Sequence, residues 1–342
     1  MKKLGILTAG GDCPGLNAVI RGVTARTVGR HGAEVVGILD GWDGLMEGRI
    51  QPLDRDAVRG ILQRGGTILG TSRRDPYVHG DGSASLAGTL DREGIDAVVV
   101  VGGDGTLRTA QRLAAEGLPL VGIPKTIDND IAATDVTFGF DTAVQIATEA
   151  IDRITTTAES HDRVMLVEVM GRTRGWIATY ARIAGGADAI LVPEERYDLD
   201  VVADAVRRRA EHGRRYSVVV VAEGIEPPPG MSLVAPVDAF GFERLGGVSA
   251  LVAARLEELT GFESRVTVLG HLQRGGTPTA ADRVLGSRLG VAAADLAAAG
   301  GFGRMVALRG TAIVDVTLDE ACADIRPVPA ELLDVARALT AP

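Results

Sequence analysis

An α/β protein with two doubly wound, mostly parallel-sheet domains is the architecture this sequence predicts. Short apolar, β-branched runs alternate with helix-like stretches along the chain. That order is what right-handed βαβ crossovers and a parallel sheet require. The runs are nearly continuous in apolar residues, as strands buried on both faces must be. At 342 residues the chain is long enough for two domains, or one large one, with substantial cores.

In order, the strand candidates are Leu4–Thr8, Glu34–Leu39, Ala97–Val101, Leu118–Ile123, Val164–Val169, Ala189–Val192, Ser217–Ala222, Val266–Leu269 and Met305–Leu308. Between them, segments such as Leu16–Arg30 and Ala143–Thr157 carry apolar residues at helical spacing. The sequence Pro227-Pro228-Pro229-Gly230 opens the least regular stretch, through about Gly247, which reads as an exposed loop. No internal repeat is evident.

Composition narrows the function classes. Apolar residues make up 46% of the chain, which argues for a folded protein, and aromatics only 4%, so the cores are expected to be aliphatic. The apolar runs are too short to span a bilayer. Met1-Lys2-Lys3-Leu4-Gly5-Ile6 leads straight into a strand candidate, which predicts no signal peptide. Two cysteines, Cys13 and Cys322, make no disulfide framework. A cytoplasmic protein with no membrane partner is expected. The formal charge of −9 argues against a nucleic-acid partner. Lysine is scarce: Lys2, Lys3 and Lys125 stand against 33 arginines, which singles out Lys125.

Gly-rich and charged clusters follow the strand candidates, where open parallel sheets bind ligands. They are Gly10-Gly11-Asp12-Cys13-Pro14-Gly15, Gly102-Gly103-Asp104-Gly105-Thr106, Pro124-Lys125-Thr126-Ile127-Asp128-Asn129-Asp130, Met170-Gly171-Arg172, Glu223-Gly224 and His271-Leu272-Gln273-Arg274-Gly275-Gly276. The first offers glycines and a following helix to a phosphate, although a bare strand–helix turn needs no ligand. There is no Walker lysine motif and no dinucleotide fingerprint. In the second, Asp104 is a hard oxygen ligand for the magnesium of a phosphate donor, and Mg²⁺ takes only one or two carboxylates. A helix-capping Asp in a turn is the structural alternative. In the third, Asp128 suits the base that phosphoryl transfer to an alcohol needs, and Asp130 a second electrostatic role. Arg73, Arg163, Arg172, Arg265 and Arg274 lie in or beside these segments and offer forks that match phosphate oxygens. His271 is placed to donate to a sugar hydroxyl.

Together these segments resemble the phosphofructokinase family, in order, from about residue 3 to about 310. The motifs that carry the resemblance are Gly10–Asn17, Gly102–Thr106, Thr126–Asp130, Met170–Arg172 and Gly270–Pro278. The resemblance implies two domains: a nucleotide or donor-phosphate domain over 1–139 and about 273–322, and a fructose 6-phosphate domain over about 140–272 and 323–342. It also implies a homotetramer, or a homodimer, in which Arg163 and Arg265 serve a neighbouring chain's sugar-phosphate site.

Carried over by position, Asp128 resembles the general base. Thr126 and Arg172 resemble the groups that hold the transferring phosphoryl, with Gly11 in the same catalytic set. Asp104 resembles the magnesium ligand. Gly11, Arg73, Gly103, Asp104, Gly105 and Thr106 resemble the donor-phosphate site. Met170, Gly171, Glu223, His271 and Arg274 resemble sugar-phosphate contacts, beside Thr126, Asp128 and Arg172. Two positions separate donors in the family. Gly105 matches users of ATP, and Lys125 matches users of pyrophosphate. An Asp at 105 would exclude the α-phosphate by bulk and charge, whereas a lysine only prefers pyrophosphate, so ATP with Mg²⁺ is the expected donor. A pyrophosphate-dependent enzyme is the alternative, and a non-catalytic sugar-phosphate or nucleotide sensor a distant one. Another kinase sharing only a GGDGT-type segment would not explain Met170–Arg172 or His271–Gly276. Arg21, Arg55, Asp188 and Arg214 match an effector site of bacterial relatives, but Ala25 and Thr155 stand where those relatives carry Arg.

Overall fold

The computed structural model describes residues 1–232 and 245–339. Residues 233–244, the middle of the irregular stretch expected over 226–247, and the tail 340–342 lie outside the described residues. Among the described residues eleven strands form: β1 (Lys3–Thr8), β2 (Glu34–Ile38), β3 (Ile50–Pro52), β4 (Ala97–Gly102), β5 (Leu120–Pro124), β6 (Val164–Val169), β7 (Ala189–Leu191), β8 (Ser217–Ala222), β9 (Ser264–Val268), β10 (Arg304–Arg309) and β11 (Ala312–Thr317). All nine expected strands are among them. The two unexpected ones, β3 and β11, pair antiparallel with β2 and β10.

The chain divides into two compact units, Met1–Asp141 with Arg274–Arg326, and Thr142–Gln273 with Pro327–Pro342. The first carries a seven-stranded sheet in the order β11-β10-β5-β4-β1-β2-β3. Its inner strands run parallel. β4 is buried throughout, with Val98, Val99, Val100 and Val101 all sealed from solvent. Such runs on both faces are what covering helices demand. β1 leads through helix Leu16–Arg26 to β2 on one side, and β4 leads through helix Asp104–Ala115 to β5 on the other. Connections that diverge from neighbouring strands open a crevice at their carboxyl ends. The clusters at 10–15 and 102–106 sit there.

The second unit holds a four-stranded, fully parallel sheet in the order β7-β8-β6-β9. The carboxyl ends of β6, β8 and β9 therefore share one edge. Two local differences from expectation have simple causes. The helix begun at Leu16 finishes with a π turn, Thr27–His31, and both Arg26 and His31 bond Asp295, at 2.7 and 2.8 Å. Pro228, expected on an exposed loop, is buried.

Candidate active site

The loop after β1 is positioned by the segment after Leu69. The Gly10 N–H donates to Ser72 O at 3.0 Å, and Thr71 Oγ1 donates to Gly10 O at 2.6 Å. This lays Arg73 beside the Gly-rich turn. At Gly11 the Arg274 guanidinium comes so close that a Cβ would meet Nη1 at 2.5 Å. Arg274 Nη1 donates to Asp12 O at 3.1 Å. Lys125 lies beneath the same turn, only 3% exposed, with Nζ donating to Gly11 O and its backbone N–H donating to Gly102 O at 2.9 Å. Burial pushes its amine down to about 8. One lysine thus ties together the loops after β1, β4 and β5, a role that its scarcity hinted at but its motif did not specify.

Helix Asp104–Ala115 begins at the carboxyl end of β4, and its cap, Gly103, supplies no side chain. The Asp104 carboxylate, at the positive end of the helix, pairs with Arg108 at 2.9 Å. A Cβ on Gly105 would meet nothing within 4 Å, and Thr106 is buried. Among the described residues no group of three or more His, Cys, Asp or Glu forms a metal cage. A magnesium ion that keeps its waters and a donor's phosphates needs no cage, so a single Asp104 carboxylate suits it.

After β5, the Asp128 N–H donates to Thr126 Oγ1 at 3.0 Å. Thr137 holds the loop from outside: its Oγ1 donates to Thr126 O at 2.8 Å and its N–H to Asn129 Oδ1 at 3.0 Å. Asn129 adopts the left-handed region, φ 54°. Arg326 closes the loop's other side, Nη2 donating to Asn129 O at 2.9 Å and its N–H to Asp130 O at 2.7 Å. Asp128 is 4% exposed, and its Oδ1 accepts no hydrogen bond from the described residues. A buried carboxylate oxygen left unsatisfied costs free energy unless a ligand completes it.

In the second unit, Met170, Gly171 and Arg172 leave β6, with Gly171 at φ 143° and Arg172 at φ 52°. The Arg172 N–H donates to Glu223 Oε1 at 3.0 Å, and the Glu223 N–H to Val169 O at 2.9 Å. Loop and carboxylate are therefore locked together across β6 and β8. His271 is exposed on the 3-10 turn Gly270–Arg274 that follows β9.

Arg163 and Arg265 are not brought to these tips. They lie at the amino ends of β6 and β9, and at about 3.3 Å per residue β6 sets them on the order of 16 Å away. Both pair with Glu263, Arg163 at 2.5 Å, and its hydrogen bond from Arg163 holds the Glu263 carboxyl below the usual range. Of the effector candidates, Asp188 is paired with Arg209 at 2.8 Å and accepts the Val218 N–H at 2.9 Å, while Arg21, Arg55 and Arg214 are exposed. Burial raises the Asp188 carboxyl. Lys125's tie to Gly11, Arg209's pairing and Arg326's clamp are contacts that no motif signalled.

Two units with mostly parallel sheets and Gly-rich strand tips define an α/β class. The phosphofructokinase family model matches residues 3–297. The chain is 54% identical over 332 residues to a pyrophosphate–fructose 6-phosphate 1-phosphotransferase of Amycolatopsis methanolica, covering 96% of this chain and 97% of that one. It is 53% identical over 329 residues to ATP-dependent 6-phosphofructokinase 3 of Streptomyces coelicolor, covering 96% of both. Among solved structures, phosphofructokinase of Pichia pastoris superposes with a TM-score of 0.84 at 33% identity, over 99% of this chain and 36% of that one. The chain belongs to the phosphofructokinase family.

Proposed function

We propose that the chain is an ATP-dependent 6-phosphofructokinase of glycolysis, moving the γ-phosphoryl of ATP to the 1-hydroxyl of fructose 6-phosphate to give fructose 1,6-bisphosphate and ADP. Asp128 carries this reading: it is a buried carboxylate with one oxygen unclaimed by the described residues, on a loop braced by Thr137 and Arg326. Its oxygen takes the hydroxyl proton as the hydroxyl attacks, when that proton becomes acidic, so a weak base suffices. Thr126 and Arg172 hold the transferring phosphoryl. Gly11, Arg73, Gly103, Gly105 and Thr106 hold the donor phosphates, and Asp104 the magnesium, which when bound neutralises donor charge. Met170, Gly171, Glu223, His271 and Arg274 hold the sugar phosphate.

Gly105 supports ATP, because none of the described residues fills the space beside it. The pyrophosphate reading is favoured by Lys125 and by the Amycolatopsis methanolica relative. Lys125, however, already donates to Gly11 O within the protein, which leaves it less available to pyrophosphate. We place the protein in the cytoplasm as a homotetramer, with no nucleic-acid or membrane partner. No helix among the described residues is long and apolar enough to cross a membrane.

Turnover of purified protein and of Asp128→Asn, each with ATP and with pyrophosphate, tests the reading. The parent is expected to prefer ATP. D128N is expected to lose at least about 10²-fold in kcat with substrate binding largely kept, as removal of a general base requires. Near-parental turnover by D128N refutes the base, and turnover with pyrophosphate alone refutes the donor.

A further inference from the structure

We infer that Arg326 is a positioning residue for phosphoryl transfer, holding the Asp128 carboxylate in its working orientation through the backbone of Asn129. The inference rests on Asp128 as the base. Arg326 lies in none of the Gly-rich or charged clusters, and comes from the far end of the chain, just before it leaves the first unit at Pro327.

The loop 126–130 has few ways to hold its shape. Thr126 is fixed through its carbonyl by Thr137 Oγ1, and the Asn129 side chain by the Thr137 N–H. What remains is the Asn129 carbonyl, on the residue directly after Asp128 and in the left-handed region, which asparagine enters more readily than most L residues but which still needs a partner to fix the direction of that carbonyl. The group that fixes it is the Arg326 guanidinium, at 2.9 Å from Asn129 O. A guanidinium keeps its charge at every working pH, and a charged donor makes the stronger bond to a carbonyl. If Asn129 relaxes towards negative φ, the adjoining Asp128 peptide turns and its carboxylate is displaced. Misplacement of a reacting group by about 1 Å costs up to roughly 10²-fold in rate.

The backbone docking of residues 325–326 does not depend on the guanidinium. The Arg326 backbone N–H still reaches Asp130 O at 2.7 Å, and Ile131 still bridges Ile325. Neither contact uses the guanidinium. Truncation therefore removes the clamp on Asn129 O and leaves the docking of residues 325–326 on the loop intact.

The experiment compares Arg326→Ala and Arg326→Lys with the parent and with Asp128→Asn, using the preferred donor and fructose 6-phosphate. R326A is expected to lose tenfold to a hundredfold in kcat while KM for each substrate stays within about twofold, since substrate contacts are untouched. R326K, which restores a cation within reach of the carbonyl, is expected to recover at least half of that loss on a logarithmic scale. The inference is overturned by an R326A rate within twofold of the parent, by a tenfold rise in either KM, or by a loss that R326K does not relieve. Failure of the underlying reading looks different: D128N would then turn over normally. With D128N inactive and R326A at the parental rate, only the Arg326 inference falls.

Discussion

Gly11 and Gly105 both lack a side chain, for opposite reasons. At Gly11 the protein itself fills the space, because Arg274 Nη1 would lie 2.5 Å from a Cβ. At Gly105 the protein leaves the space open, with nothing within 4 Å. A glycine second in a helix, where a Cβ would fit, costs helix stability and brings no packing gain, so its value lies in what binds beside it. Gly105→Asp is accordingly expected to fold with stability within about 1 kcal/mol of the parent, an acidic residue in the first helical turn being favourable. Its ATP turnover is expected to drop at least tenfold, with a smaller effect on pyrophosphate. Thermal unfolding and paired-donor kinetics check both halves, and undiminished ATP turnover would remove Gly105 from donor selection. Both glycines were visible in the sequence as members of motifs. Their difference was not, because it depends on an arginine hundreds of residues away in the chain.

Strands buried on both faces announced themselves, as did β7 and β9 at the margins of the smaller sheet, but the two margins of the larger sheet did not. β4 is an unbroken valine run, whereas β3 is three residues ending in Pro52 and β11, Ala-Ile-Val-Asp-Val-Thr, carries a charge within it and has only one buried residue. Each of these two sits at a margin of the larger sheet and pairs with a single neighbour, where continuous hydrophobicity is not needed. The loops that bear the site were readable as motifs for the same physical reason: glycines, carboxylates and arginines at strand tips have few structural uses. Their supports were unreadable. Thr137, Arg326 and Glu168 are ordinary residues until the tertiary fold gives them a partner.

Glu168 shows the cost of that blindness. It lies 1% exposed near the carboxyl end of β6, the strand between β8 and β9. Its carboxylate accepts the N–H groups of Gly247, at 2.7 Å, and Ser249, at 2.9 Å, and the Ser249 hydroxyl. Helix Val248–Thr260 starts from Gly247, which has no capping side chain, so the strand caps the helix. Glu168→Gln keeps the shape but turns an NH₂ towards donors. We expect it to cost about 1–3 kcal/mol, read as a lowered denaturant midpoint. An unchanged midpoint would show that this carboxylate does not hold the helix.

Arg163 and Arg265 lie at the amino ends of strands whose opposite ends bear Met170, Arg172 and His271. If they grip a sugar phosphate, it is that of another chain, and the proposed homotetramer then shares each site between two copies. Arg163→Ala and D128N, each inactive alone, are expected to regain a fraction of parental turnover when the two are unfolded and reassembled together. A mixture as inactive as its components would confine every site to one chain. The paths of the two sheets also differ in time. β10 lies against β5, yet it begins at Arg304, after every strand of the smaller sheet has been made by Val268. A ribosome therefore releases the material of the smaller sheet complete, while the larger one still waits with β5 as a bare margin. Until the last strands emerge, that margin carries backbone groups with no strand beside them.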